Sequence, residues 1–183
     1  MLDNTSQRIY AFALLKLSAN DIPEKKLTEK LEEKFITKTE EENPEKIQEI
    51  SDKIFEIIHL LKSQKYIDDI RYCENFIRWR KNTMPRGKYM IIQELVLKRI
   101  SNELATIMCN KYISHHAEYK MCEVLFIQKI KKLEQRYFHK RNSENTKEIN
   151  IIIKQKVFQF LAGKLFSYSV MNDVWDKNMV HYD

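Results

Sequence analysis

The sequence predicts an all-α fold, an elongated tandem array of three small helical modules, on three observations. Only two glycines and three prolines occur among 183 residues, far below average usage, so the chain lacks the turn residues a β-rich fold needs. Apolar residues recur at intervals of three and four nearly throughout, not at two. One helix-turn-helix pattern also returns three times along the chain.

In chain order, helices are expected at about 5–18 and 23–36, the second opened by Pro23, which needs no amide donor at a helix start. The next, over 44–65, carries Ile47, Ile50, Ile54, Ile57, Ile58 and Leu61 along one face and starts well, with Asn43 as side-chain cap and Pro44 behind it. Asp68 or Asp69 caps a fourth helix, with Tyr72, Cys73, Phe76, Ile77 and Arg80 on adjacent turns, that stops before the loop at 82–87. Further helices are expected at 87–98, 101–112, 116–139, 147–163 and 167–177, with an acidic linker at 37–45 and a polar one at 141–146.

The repeat is anchored at Pro23, Ser101 and Ser167, each able to open a helix. Four residues later stand Leu27, Ala105 and Met171, and eight later Leu31, Cys109 and Trp175. Immediately before the anchors stand Ile22, Ile100 and Phe166; six before are Leu17, Leu95 and Leu161, nine before Leu14, Ile92 and Phe158, and ten before Ala13, Ile91 and Val157. Such a repeat implies modules stabilised largely by their neighbours. Module boundaries are expected at 1–42, 43–113 and 114–183.

Charge is uneven. Residues 1–60 carry 9 Lys/Arg against 13 Asp/Glu; residues 61–141 carry 18 against 8, a net +10; residues 142–183 carry 5 of each. A basic middle favours a polyanionic partner, nucleic acid or a protein carrying it, although a lysine-rich solvated surface has the same composition. No apolar run reaches the roughly 20 residues of a membrane span. The N-terminal stretch, with Asp3, lacks the pattern of a secretory signal, so a cytoplasmic, monomeric protein is expected. Cys73, Cys109 and Cys122 form neither an even set nor a C-x-x-C, which argues against disulfides and zinc alike.

Catalytic signals are weak. There is no glycine-rich phosphate loop, G-x-S-x-G or H-E-x-x-H. His115 and His116 are adjacent on a helix and point to different sides, and helix capping accounts for the Asp68–Asp69 pair. No enzyme activity, metal or cofactor is expected.

Basic residues are the candidate site. Arg78, Arg80, Lys81, Arg86 and Lys88 fall around the Pro85-Arg86-Gly87 turn, with Trp79 among them and Lys98 and Arg99 one helix later. Lys129, Lys132, Arg136 and Lys140 form a second stripe at helical spacing.

The run Tyr66-Ile67-Asp68-Asp69-Ile70-Arg71-Tyr72-Cys73-Glu74-Asn75-Phe76-Ile77-Arg78-Trp79-Arg80 resembles the signature of the RecX family, the regulators of the RecA recombinase. The likeness continues through Pro85-Arg86-Gly87 and Glu94-Leu95 to Lys98-Arg99-Ile100-Ser101 and, more diffusely, over the flanks. It implies a curved array of three-helix modules. It also implies binding along the RecA filament on single-stranded DNA, which restrains ATP hydrolysis, strand exchange and co-protease activity. The contact surface is expected at Arg78, Arg80, Lys81, Arg86, Lys88, Lys98 and Arg99, then at Lys132, Arg136 and Lys140, with weak, sequence-indifferent binding to DNA alone. Arg71 and Glu74 are candidates for an ion pair serving the fold. The alternative is a RecA-independent helix-turn-helix DNA-binding protein or repressor, for which the helix from Asn102 offers Asn102 and Thr106 as base readers but also an acid. The family commonly has glycine where this chain has Arg99 and Leu165, so either those turns differ here or a left-handed backbone is tolerated at about 1 kcal/mol each.

Overall fold

The computed structural model describes residues 2–37, 43–138 and 146–179. The described residues form nine α-helices and no strand: α1 Asn4–Ala19, α2 Glu24–Phe35, α3 Pro44–Ser63, α4 Asp69–Asn82, α5 Lys88–Leu97, α6 Asn102–Tyr112, α7 His115–Tyr137, α8 Thr146–Ala162 and α9 Tyr168–Asn178. Most of both expected linkers, and Lys140, lie outside the described residues.

Local chemistry sets the helix starts. Asp3, Asn43, Asp68, Ser101, Ser114 and Ser167 each accept an amide hydrogen bond from the first turn of the helix that follows. Pro23 offers no side-chain cap to α2. Asp69 does so from α4 instead, its Oδ1 accepting from the Glu24 amide at 2.9 Å.

Contacts divide the chain into two units, 1–75 with 95–104 and 76–94 with 105–183. In the first, α3 packs on both α1 and α2. Ile50, Ile54, Ile57, Ile58 and Leu61 of α3 enter one core with Ile9, Ala13, Leu27 and Leu31. The sequence reading opens a middle module at residue 43; α3 instead completes a three-helix bundle with α1 and α2, because its apolar face covers theirs. In the second unit α7 packs on both α8 and α9, around Trp175, which meets Phe126 and Phe158 edge-on at 6.0 Å each.

The repeat is visible in burial. Every residue at the positions four and eight after the anchors, and ten before them, is buried, whereas Leu14, Leu17, Ile22, Ile92 and Phe158 at the other repeat positions are only partly buried. Three turns share one closure. Lys65 (φ 59°), Arg99 (φ 77°) and Leu165 (φ 55°) all take the left-handed conformation. Each donates its amide to the carbonyl three residues back, and the following amide bonds the carbonyl five back: Tyr66 to Leu61 at 2.9 Å, Ile100 to Leu95 at 3.1 Å and Phe166 to Leu161 at 3.4 Å. A left-handed non-glycine residue costs about 1–2 kcal/mol, and burial of Ile67, Ile100 and Phe166 just beyond these turns, about 1.5–3 kcal/mol apiece, outweighs it. Strain at Arg99 and Leu165 is therefore tolerated and the turn keeps its form.

Gly87 has no freedom of this kind to supply. Its amide donates to the Lys164 carbonyl at 2.9 Å, and a Cβ there would lie 2.0 Å from the Leu165 carbonyl oxygen. The residue is small because another backbone passes against it.

Candidate functional site

The signature acids and arginine are structural. Asp68 caps its own helix through the Arg71 amide, while Asp69 caps α2. Burial is the main reason the Asp69 carboxyl titrates above the usual range; the Glu24 amide bond opposes the rise and the Glu24 charge adds to it. Arg71 donates to the Lys65 carbonyl at 3.0 Å and the Tyr66 carbonyl at 3.2 Å, closing the left-handed turn after α3, and its guanidinium reaches Asp21 at 3.5 Å. Arg71 thus serves the fold through these carbonyls and Asp21. One short run ties the ends of α1, α2 and α3 to the start of α4.

The basic residues separate into three groups. Arg80 is drawn inward: Nη2 donates to Glu94 Oε1 at 2.7 Å, Nε approaches Oε2 at 2.7 Å outside hydrogen-bond geometry, and the side chain is 12% exposed. Its guanidinium lies over Trp79 at 4.4 Å and near Phe76 at 5.4 Å. Nη1 is buried with no hydrogen-bond partner. This Arg80–Glu94 pair joins α4 to α5, and losing either member would strand a buried charge. Arg99 is held by Glu29 of α2 at 2.9 and 3.0 Å.

The second group surrounds the end of α6. Lys81 Nζ donates to the Tyr112 carbonyl at 3.1 Å, and Lys88 Nζ to Asn110 at 3.4 Å. The Lys88 amide is capped by the buried Glu118 of α7 at 2.9 Å. Arg78, exposed and without an ion pair among the described residues, lies one turn before Lys81 on α4. Arg86 is half-buried on the turn, bonded to the Pro85 carbonyl. These four residues can present charge to a partner, with Trp79 and Tyr89 exposed beside them in sequence.

Lys132 and Arg136 form the third group, exposed on α7. Fourteen residues separate Glu118 from Lys132, about 21 Å of helix, so this patch is distinct from the one around α6. Lys98 and Arg99 belong to the first unit.

Sequence reasoning missed the partners that sort these cations, namely Glu29, Glu94 and Glu118. Glu94 is the lone acid of α5, whereas Glu29 is one of four acids in α2 and Glu118 one of three in α7; only Glu118 carries a hint, since its position repeats with the buried side of α7. Among the described residues no group of three or more His, Cys, Asp or Glu could hold a metal, and no helix is long and apolar enough to cross a membrane. The three cysteines are buried, and burial pushes the Cys73 and Cys122 thiols up to about 12.

Fold and site together define a helical-repeat protein of three-helix modules, with signature residues that stitch helices and candidate cations that, Arg80 excepted, keep their charge toward the surface. Residues 68–107 match the family model described as RecX, second three-helix domain. The chain is 27% identical over 128 residues to the regulatory protein RecX of Leuconostoc mesenteroides, covering 70% of this chain and 43% of that one. It is 28% identical over 140 residues to the regulatory protein RecX of Clostridium acetobutylicum, covering 75% and 60%. The chain belongs to the RecX family. It spans less than two thirds of the length of these relatives. The crystal structure of RecX from Lactobacillus salivarius superposes with a TM-score of 0.73 at 24% identity, over 98% of this chain and 99% of that one, a likeness of fold.

Proposed function

We propose that this protein modulates the RecA recombinase: it binds the RecA filament on single-stranded DNA and restrains ATP hydrolysis, strand exchange and co-protease activity. It acts as a cytoplasmic binding protein without catalysis of its own. Family membership is the observation that carries this reading. The exposed cations support it physically, because a basic surface attracts a filament rich in phosphate and speeds the encounter. Arg78, Arg86 and Lys88 are the proposed primary contact, with Lys132 and Arg136 second, while Arg80 and Arg99 act through the fold. Binding to DNA alone is weak and salt-dependent.

The test is titration of the protein into RecA on single-stranded DNA, following ATP hydrolysis. Substoichiometric protein should slow hydrolysis, and unchanged rates at several-fold molar excess would overturn the proposal. Arg86→Glu with Lys88→Glu should leave melting nearly unaltered and weaken inhibition. Normal melting with full inhibition would move the contact to the Lys132 and Arg136 stripe. Tight, sequence-specific DNA binding that survives high salt would favour the repressor alternative.

A further inference from the structure

Two apolar surfaces of the chain are left uncovered, and they are opposite in charge. The first is a groove of about 800 Å³ within the first unit, between α2 and α3 on one side and the α5–α6 turn on the other. Buried Ile54, Ile58 and Ile100 form its floor, and Phe55 (69% exposed) and Val96 (38%) stand at its mouth. Carboxylates mark its length. Asp69 lies at one end beside Glu24, whose carboxylate already pairs with Lys62 at 2.7 Å, and Glu32, without an ion pair among the described residues, lies about 12 Å along α2 from Glu24. Of the cations that line it, Arg99 is already held by Glu29, which leaves Lys25.

The second surface is the outward side of α7. Lys120, Val124, Ile127 and Lys131 recur at three and four, opposite the buried Cys122, Phe126, Ile130 and Leu133. Val124 is 47% and Ile127 51% exposed. Lys120 pairs with Glu123, and Lys131 has no ion pair among the described residues. A helix that is apolar on both sides is normally covered on both.

Each surface matches the other in form and charge. Val124 and Ile127 form an apolar centre for the floor, and the two lysines, about 17 Å apart on the helix, reach toward carboxylates about 12 Å apart through long flexible stems. We propose that the groove of the first unit docks the outward face of α7 from a second copy of the chain, in the manner of a helix laid in a groove. The two faces differ, so the contact is head-to-tail and leaves a free groove at one end and a free α7 face at the other. Its area is small, so the monomer persists when dilute and association shows only at high concentration.

The test is sedimentation of the full chain without RecA, so the outcome is independent of the proposed function. At roughly 200 µM protein the average mass should exceed the monomer in about 50 mM salt and return to it in about 500 mM salt. Lys131→Glu and Glu32→Lys, both at exposed positions, should each abolish growth. Mixed in equal amounts they should form a one-to-one complex that grows no further, since one intact groove meets one intact α7 face. If either fails to melt normally, Ile127→Ser and Phe55→Ser carry the same comparison. A wild-type monomer at that concentration in low salt, association indifferent to both charge reversals, or no recovery in the mixture would each overturn the proposal.

Discussion

Gly87 has the Leu165 carbonyl where its side chain would be, and the intruding atom is backbone, which cannot swing aside. Gly87→Ala should therefore lower unfolding stability by about 3 kcal/mol, read by urea denaturation, with a loss below about 1 kcal/mol showing that the two segments part easily. Sequence marked the position as a turn glycine; the second backbone that makes it necessary comes from 78 residues away. Arg80 carries the same lesson in charge. Its place in a run of arginines and lysines reads as surface, yet Glu94 and the rings of Trp79 and Phe76 hold it inward. No periodicity reveals this, because the partner acid lies on the next helix and its approach depends on how the two helices cross.

Among elements, the three left-handed turns separate strain from side-chain use. Lys65 is exposed and its side chain makes no ion pair among the described residues, so Lys65→Gly removes a steric penalty of about 1–2 kcal/mol and loses a smaller amount through the more flexible unfolded chain. The expected result is a gain of about 0.5–1 kcal/mol in urea denaturation. Arg99→Gly relieves the same strain but also breaks the half-exposed pair with Glu29, worth about 0–1 kcal/mol. It should leave stability nearly unchanged, and a large gain would show that the pair contributes nothing. Helix starts were legible in the sequence at Asn43, Ser101 and Ser167, since the bonded groups sit within three residues; the equally local caps Asp3 and Ser114 were not read. The cap of α2 was not, because Asp69 reaches the Glu24 amide across 45 residues.

At the scale of the whole molecule, one contribution to stability in acid comes from the start of the N-terminal helix. Lys53 of α3 lies 2.7 Å from Asp3, and this bond, aided by the Ser6 amide, holds the carboxyl near about 2 instead of 3.8. A lowered carboxylate pKa stabilises the fold fully above 3.8, and that contribution is lost as pH falls toward 2. Asp3→Asn should melt lower than wild type near neutral pH and lose less between pH 4 and 2, checked by parallel thermal melts; equal slopes in that window would remove Asp3 from the account. The sequence by itself determined the all-helical class, the places of nine helices, the repeated apolar positions and the RecX signature, because helical period, caps and turn residues act over a few neighbours. Tertiary structure alone decided that α3 joins α1 and α2, that Asp69 and Arg71 stitch helix ends, and which cations remain outward. Those outcomes depend on burial and on carboxylates brought near by packing, and the energy of a charge is set by what surrounds it in space.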